Sequence, residues 1–374
     1  MRLAGGLVVW ALLTPTLAWA AVPGNCAKPA ATADGWPVAS PEAKSLDPAR
    51  ICTIGPSLKD QPEAEAHGVV IARQGTLVYE DYFTGGIEYG ADTLHDIRSI
   101  SKSVTALLIG IALDHGWLKS VDAPVFSFFP TDDDLRTPDK DRITIANLLS
   151  MTSGLDWPES AVSYNNPSNM DRQVNAAPDP YRFVLGRPLA AAPGTMWNYN
   201  SGGVELLGDI LKQVSRRPLD QFAKEALFDP LGIKDWEWQR SENGTFGAAG
   251  GLWLRPRDLA KIGQLVLNRG TWNGRHIVSA AWIDTMTARH SPPGWLFNGG
   301  ETGYGYLWWR GRATVGGHDA DWVGGIGWGG QYLYVLPRLD LVVAVNAGVY
   351  RRSDDQTLAG ETALRLAVRA AEAQ

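Results

Sequence analysis

A serine three residues before a lysine is the first place in this sequence where spacing suggests chemistry. Ser99-Ile100-Ser101-Lys102 runs into Val104, Leu107, Leu108 and Ile111, apolar positions at helical spacing. On a helix, residues i and i+3 share a face, so the Lys102 amine reaches the Ser99 hydroxyl. A lysine carried into apolar surroundings has its pKa lowered by desolvation, and its neutral amine can take the hydroxyl proton. The helix N-terminus adds backbone N–H groups aimed at an oxyanion on an attacked carbonyl. The pattern alone is weak, but the chain is lysine-poor and no other lysine follows a serine at this spacing. The plainer alternative is Ser99 as the N-cap of a surface helix.

Other hydrolytic chemistries find less support. There is no G-x-S-x-G elbow and no alternation of strands and helices of the kind that carries it. The histidines, at 67, 95, 115, 276, 290 and 318, show no H-x-H or H-E-x-x-H spacing. His318-Asp319-x-Asp321 is the nearest approach to a ligand cluster and reads as loop, so neither a metal nor a cofactor is expected.

The elements that must position Ser99 and Lys102 follow from patterning. A hairpin is expected from Val69–Ala72 and Thr76–Tyr79 around Arg73-Gln74-Gly75. A helix follows from Ser101 to about His115, stopped by Gly116. Residues 117–240 hold short helical stretches among many Pro, Asn and Asp, with a longer helix from Ser201 to Val214. Helices are expected near Pro256–Asn268 and Ser279–Arg289, then strands Gln331–Leu336 and Leu341–Asn346, then a final helix from about Asp355. This order describes an α+β fold: a sheet lobe built from about 61–100 and 241–374, with a mostly helical lobe, 101–240, inserted.

Composition limits the function classes. With 45% hydrophobic and 20% charged residues, the chain is an ordinary globular one. A formal charge of −6 with no basic, aromatic-interleaved run argues against nucleic acid and anionic membranes as partners. Residues 1–20 read as a signal peptide: Arg2, the apolar run Leu7–Leu13, Pro15, and Ala18-Trp19-Ala20 before cleavage at Ala21. A periplasmic or secreted protein without stable membrane insertion after cleavage is expected. The leader, 21–60, reads as irregular, and export makes a Cys26–Cys52 disulfide plausible. Oligomeric state is not readable.

Several stretches resemble the serine β-lactamase-like superfamily. Arg98 to Thr105 (RSISKSVT) looks like the nucleophile motif of class C β-lactamases and related esterases. Ile143–Leu155 (ITIANLLSMTSGL), Pro193–Gly208 (PGTMWNYNSGGVELLG), and Ala249-Gly250-Gly251-Leu252 with Arg257-Asp258-Leu259-Ala260 are similar to segments that follow it, in the same order. The resemblance implies a β-lactamase/transpeptidase-like fold with an antiparallel sheet flanked by helices. It implies Ser99 as acylated nucleophile, Lys102 and Tyr199 as proton-transfer partners, and the Ser99 and Gln331 amides as oxyanion hole. Tyr199-Asn200-Ser201 has Ser where the family commonly has Asn, and Ser201 could contact Lys102 or substrate, or cap its helix. No lysine follows Lys261, so the family's Lys-Thr/Ser-Gly triad is absent, and Trp328-Gly329-Gly330 stands at the equivalent place. An indole cannot pair with the carboxylate of a β-lactam, which favours esters or linear amides as small-molecule substrates. The loop Tyr164–Ser168 looks like the branch of 6-aminohexanoate-dimer hydrolases and esterases, where Tyr164 would reach a leaving group; an exposed loop tyrosine is the alternative. Rival readings are a β-lactamase or D-alanyl-peptidase, and a non-catalytic binder or sensor on the same fold.

Overall fold

The computed structural model describes residues 26–32, 35–83, 89–241, 244–291, 296–297, 300–351 and 355–372. The expected signal peptide and its cleavage point lie outside these residues. No described helix is long and apolar enough to cross a membrane.

Seven antiparallel strands form the main sheet: β1 (Ala66–Arg73), β2 (Thr76–Tyr82), β3 (Gly303–Tyr304), β4 (Trp309–Val315), β5 (His318–Gly327), β6 (Gln331–Leu336) and β7 (Leu341–Ala347), in the order β3-β4-β5-β6-β7-β1-β2. Both chain ends contribute, and they meet where β1 pairs with β7, Val69 opposite Val345. Every residue of β6 and β7 is buried rather than alternating. The reason is that helices cover both faces. On one face lie α1 (Ile100–Asp114) and α4 (Pro256–Leu267): a Cβ on Gly325 would meet Ile100, and one on Gly263 would meet Leu333 and Val342. On the other lies α5 (Leu358–Glu372), where a Cβ on Gly360 would meet the Tyr332 ring.

Between α1 and the strand Trp236–Trp238 the chain is mostly helical, including α2 (Met170–Ala176) and α3 (Ser201–Ser215), with isolated antiparallel bridges at Pro124–Thr144 and Leu155–Leu189. Trp236–Trp238 pairs with Leu252–Leu254, which also pairs with His95–Asp96, so a short second sheet ties the approach to Ser99 to the far side of the helical segment.

Two readings are corrected. The leader is not wholly irregular: Pro48–Ile51 and Ile54–Lys59 are short helices, capped by Asp47 at the first and holding Ile51, Ile54 and Leu58 in the core. Their apolar residues are drawn in by α5, whose Ala370 carbonyl accepts from the Asp47 amide. Cys26 and Cys52 are bonded and pin this segment. His318–Asp321 is not loop but the start of β5. Its carboxylates pair across the strands with Arg312, Asp321 at 2.6 Å and Asp319 at 3.3 Å, and no cluster of potential metal ligands exists among the described residues.

Candidate active site

The α1 helix has no polar face. Ile100 through Ala112 are all buried, so its hydroxyls and Lys102 must find partners in the protein interior. They do so by tying down surrounding loops. Ser103 donates to the Leu307 carbonyl and Thr105 to the Ala248 carbonyl, both at 2.8 Å. Lys102 Nζ donates to the Ala249 carbonyl at 2.9 Å and to Ser99 Oγ at 3.0 Å. Ser99 occupies the N-cap position of α1 but its hydroxyl makes no capping bond; it accepts from Lys102 instead.

Tyr199, buried, closes the group. Its hydroxyl interacts with both Ser99 and Lys102, and its ring lies 5.0 Å from Lys102 Nζ and stacks on Trp309. The residue stands immediately before Asn200, which caps α3 by accepting from Gly203 N at 2.8 Å. Ser201 is therefore not the cap. Gly202 brings this helix start against Trp157, where a Cβ would lie 2.4 Å from the indole.

Ser201 turns to a group that motif reading missed. Glu159 is fully buried and accepts four hydrogen bonds: Trp157 Nε1 at 2.7 Å, Ser201 N at 2.8 Å, Ser201 Oγ at 2.7 Å and Tyr164 Oη at 2.7 Å. Tyr164 is accordingly no exposed loop residue; it lines the cleft, its ring 5.5 Å from that of Trp328. Asp171, in the first turn of α2, also faces Ser201, and burial followed by the Glu159 charge raises its carboxyl to about 6. Nothing in the local sequence marks either carboxylate, because the residues that make them matter lie elsewhere in the chain.

These charges oppose the effect of burial on Lys102. Burial alone would push the Lys102 ammonium down, but Tyr199, Glu159 and Asp171 override it and hold the group above its ordinary value. Burial pushes the Tyr199 phenol up, opposed by Lys102. The surroundings therefore favour the protonated lysine, and Lys102 and Tyr199 act on each other as a coupled pair. Glu205, one turn after Ser201, accepts from the Ala248 and Ala249 amides at 3.0 Å, fixing the carbonyl that holds Lys102; burial raises it to about 7 against those two bonds.

A cleft of about 290 Å³ opens over the group, lined among others by Arg98, Ser99, Lys102, Tyr164, Asp171, Ser201 and Trp328. Of the tryptophans, Trp157 and Trp308 are core, Trp309 backs Tyr199, and Trp328 lines the cleft. Gly329 and Gly330 form the turn between β5 and β6 at φ of 87° and 89°. A Cβ on Gly329 would lie 2.2 Å from the Tyr350 ring, so turn geometry and Tyr350 account for that glycine, not room for a ligand. Gln331 pairs with Gly327, and its buried side chain bonds the Ala347 carbonyl at 2.6 Å. Gly327 in turn packs on the Ile97 carbonyl and Arg98, which sets the β5–β6 hairpin against the start of α1.

Comparison with known proteins agrees with this architecture. The Beta-lactamase family model matches residues 58–365. The chain is 25% identical over 308 residues to the 6-aminohexanoate-dimer hydrolase of Paenarthrobacter ureafaciens, covering 78% of this chain and 75% of that one. Its fold is similar to that of the octameric penicillin-binding protein homologue from Pyrococcus abyssi (TM-score 0.68, 23% identity, 84% of this chain and 76% of the other). It is also similar to a family VIII carboxylesterase (TM-score 0.64, 18% identity, 85% and 95%). This chain belongs to the Beta-lactamase family and is a serine hydrolase.

Proposed function

We propose that the protein hydrolyses carboxylic esters or linear amides of small molecules through an acyl-enzyme on Ser99. The observation that carries this is the Ser99 hydroxyl held at 3.0 Å by a buried Lys102, with Tyr199 in contact with both, at the floor of an open cleft. Lys102 and Tyr199 share their protons, and the reactive form is the pair after loss of one. That form takes the Ser99 proton as its oxygen attacks the carbonyl. The Ser99 amide, joined by that of Gln331, stabilises the oxyanion. Tyr199 delivers the proton to the departing alcohol or amine, and water reverses the path. Removing one proton becomes easier as pH rises, so kcat/KM rises with pH through the neutral range.

The relative named as a 6-aminohexanoate-dimer hydrolase supports linear amides. The indole of Trp328 in place of a third-motif lysine counts against a β-lactamase or D-alanyl-peptidase, and the intact Ser99–Lys102–Tyr199 set counts against a non-catalytic sensor. Export is part of the proposal, supported by the apolar N-terminal segment and by a disulfide that suits an oxidising compartment. The test is a panel of p-nitrophenyl esters, linear amides and a chromogenic cephalosporin, each with a Ser99→Ala control. Ester or amide turnover lost in Ser99→Ala supports the proposal. Turnover of the cephalosporin alone, or turnover retained in Ser99→Ala, refutes it.

A further inference from the structure

We infer that Arg98 is the anion-binding residue of the cleft, and that the preferred esters or amides carry a carboxylate. This deepens the reading of Ser99 as nucleophile and shares its cleft.

Three observations carry it. First, Arg98 directly precedes Ser99 at φ 52°, a left-handed conformation that costs a bulky residue energy and glycine almost none. That conformation sets the Arg98 side chain beside the nucleophile, in the lining of the same cleft. Second, the side chain is built in. Asp96 holds it at Nε, 3.0 Å away, and also accepts from the Arg98 amide at 2.8 Å. Its guanidinium sits over the rings of Tyr350 at 4.8 Å and Trp328 at 5.5 Å, and the Tyr350 hydroxyl is a further partner. A planar cation so clamped keeps N–H donors for a ligand without the entropy cost of ordering a loose arginine. Third, it lines the cleft and stays 37% exposed while its partner Asp96 is 8% exposed, so part of the guanidinium remains accessible.

The cation lost from the third motif is therefore met from a different element, against the very indole that replaced it. The cleft carries charge of both signs, with Asp96, Asp171 and Glu205 beside Arg98, Arg172 and Arg240. Of the carboxylates, Asp96 is paired with Arg98 and Glu205 is occupied by two backbone amides. Of the cleft's arginines, Arg98 is the one adjacent in sequence to Ser99 and clamped between rings, so a carboxylate held by it lies close to the nucleophile.

The experiment uses two matched pairs. Mono-p-nitrophenyl glutarate against p-nitrophenyl butyrate places the charge on the acyl side; para-acetoxybenzoate against its methyl ester places it on the leaving group. Within at least one pair, the anionic member has the higher kcat/KM. Arg98→Gln lowers that anionic-over-neutral ratio roughly 10- to 100-fold, the worth of one charge-assisted hydrogen bond, while Arg98→Lys, which keeps the charge but not the stacked planar fork, falls between wild type and Arg98→Gln. The same ratio is read as affinity by tryptophan fluorescence in a Ser99→Ala background, which needs no turnover. A purely structural arginine lowers both members together, and a ratio unmoved by Arg98→Gln in both pairs overturns the inference. If no ester is turned over but the affinity ratio still falls, the hydrolase reading fails and Arg98 stands. If turnover occurs with a flat ratio, the reverse holds.

Discussion

Glu159 is the most consequential group that motif reading missed, and replacing it tests the electrostatics of the site. In Glu159→Gln, the amide oxygen can take the two donors that cannot turn, Trp157 Nε1 and Ser201 N, which now share Oε2. The new NH2 then faces Tyr164 Oη and Ser201 Oγ, hydroxyls that rotate to accept. All four contacts survive as neutral bonds, each weaker by about 1 kcal/mol than a charge-assisted one. The gross loss of about 4 kcal/mol is offset in part by no longer burying a charge, which leaves a net cost on the order of 1–3 kcal/mol. Glu159→Ala instead strands four donors at about 1–3 kcal/mol each, a large share of a typical domain's 5–15 kcal/mol. The expected order of denaturant midpoints is wild type, then Gln, then Ala, well separated. The second readout is the pH profile. The Glu159 charge helps keep Lys102 protonated. Without it the Lys102–Tyr199 pair loses its proton more easily, so the rising limb of kcat/KM moves to lower pH in Glu159→Gln. A limb that stays put or moves up, or an alanine variant as stable as wild type, refutes the reasoning.

Other consequences concern the frame around the site. A Cβ at Gly110 of α1 would lie 2.0 Å from Trp282, whose indole N–H is bonded to the Ala106 carbonyl. Gly110→Ala gains about 1 kcal/mol of helix propensity but overpacks by about 1–3 kcal/mol, so its melting temperature falls; a rise would contradict the packing. Reducing Cys26–Cys52, which closes a separation of 26 residues, lowers stability by about 3–4 kcal/mol on the chain-entropy scale, and an unchanged midpoint under reductant would contradict this. His67 Nδ1 and His95 Nε2 sit 2.6 Å apart, and burial lowers both rings to about 4. Folded values below the ordinary 6.5 mean stability that is complete above pH 6.5 and lost as pH falls through about 4. Allowing for the partly exposed His67, the loss is on the order of 2–3 kcal/mol; His67→Phe, which keeps the ring against Tyr89, flattens this window, and an identical acid profile would contradict the assignment.

What could be read from the sequence follows from the range of the interactions. Ser99 and Lys102 meet by helical geometry alone, and the β1–β2 and β6–β7 hairpins are local apolar pairings around recognisable turns. Strands β4 and β5 were not legible. WRGRATV and HDADWVGGIG are charged or glycine-rich; as strands they bury Trp309, Ala313, Val315, Ala320 and Trp322, leave Arg312 to meet Asp319 and Asp321 on the exposed side, and let α1 approach at Gly325. The electrostatics around Lys102 follow the same rule: burial is visible in an apolar helix, but Glu159 and Asp171 reach it from 57 and 69 residues away only after folding. Arg98 stood beside the nucleophile throughout, yet its role depends on a backbone angle and on two rings more than 200 residues distant.

The central claim is that Ser99 is the activated nucleophile. It is tested most directly by intact-mass spectrometry and peptide mapping after treatment with a fluorophosphonate. A single adduct on Ser99, absent from Ser99→Ala and forming faster as pH rises, is the predicted result. Folded protein that takes no adduct, or takes one on another residue, would contradict the account.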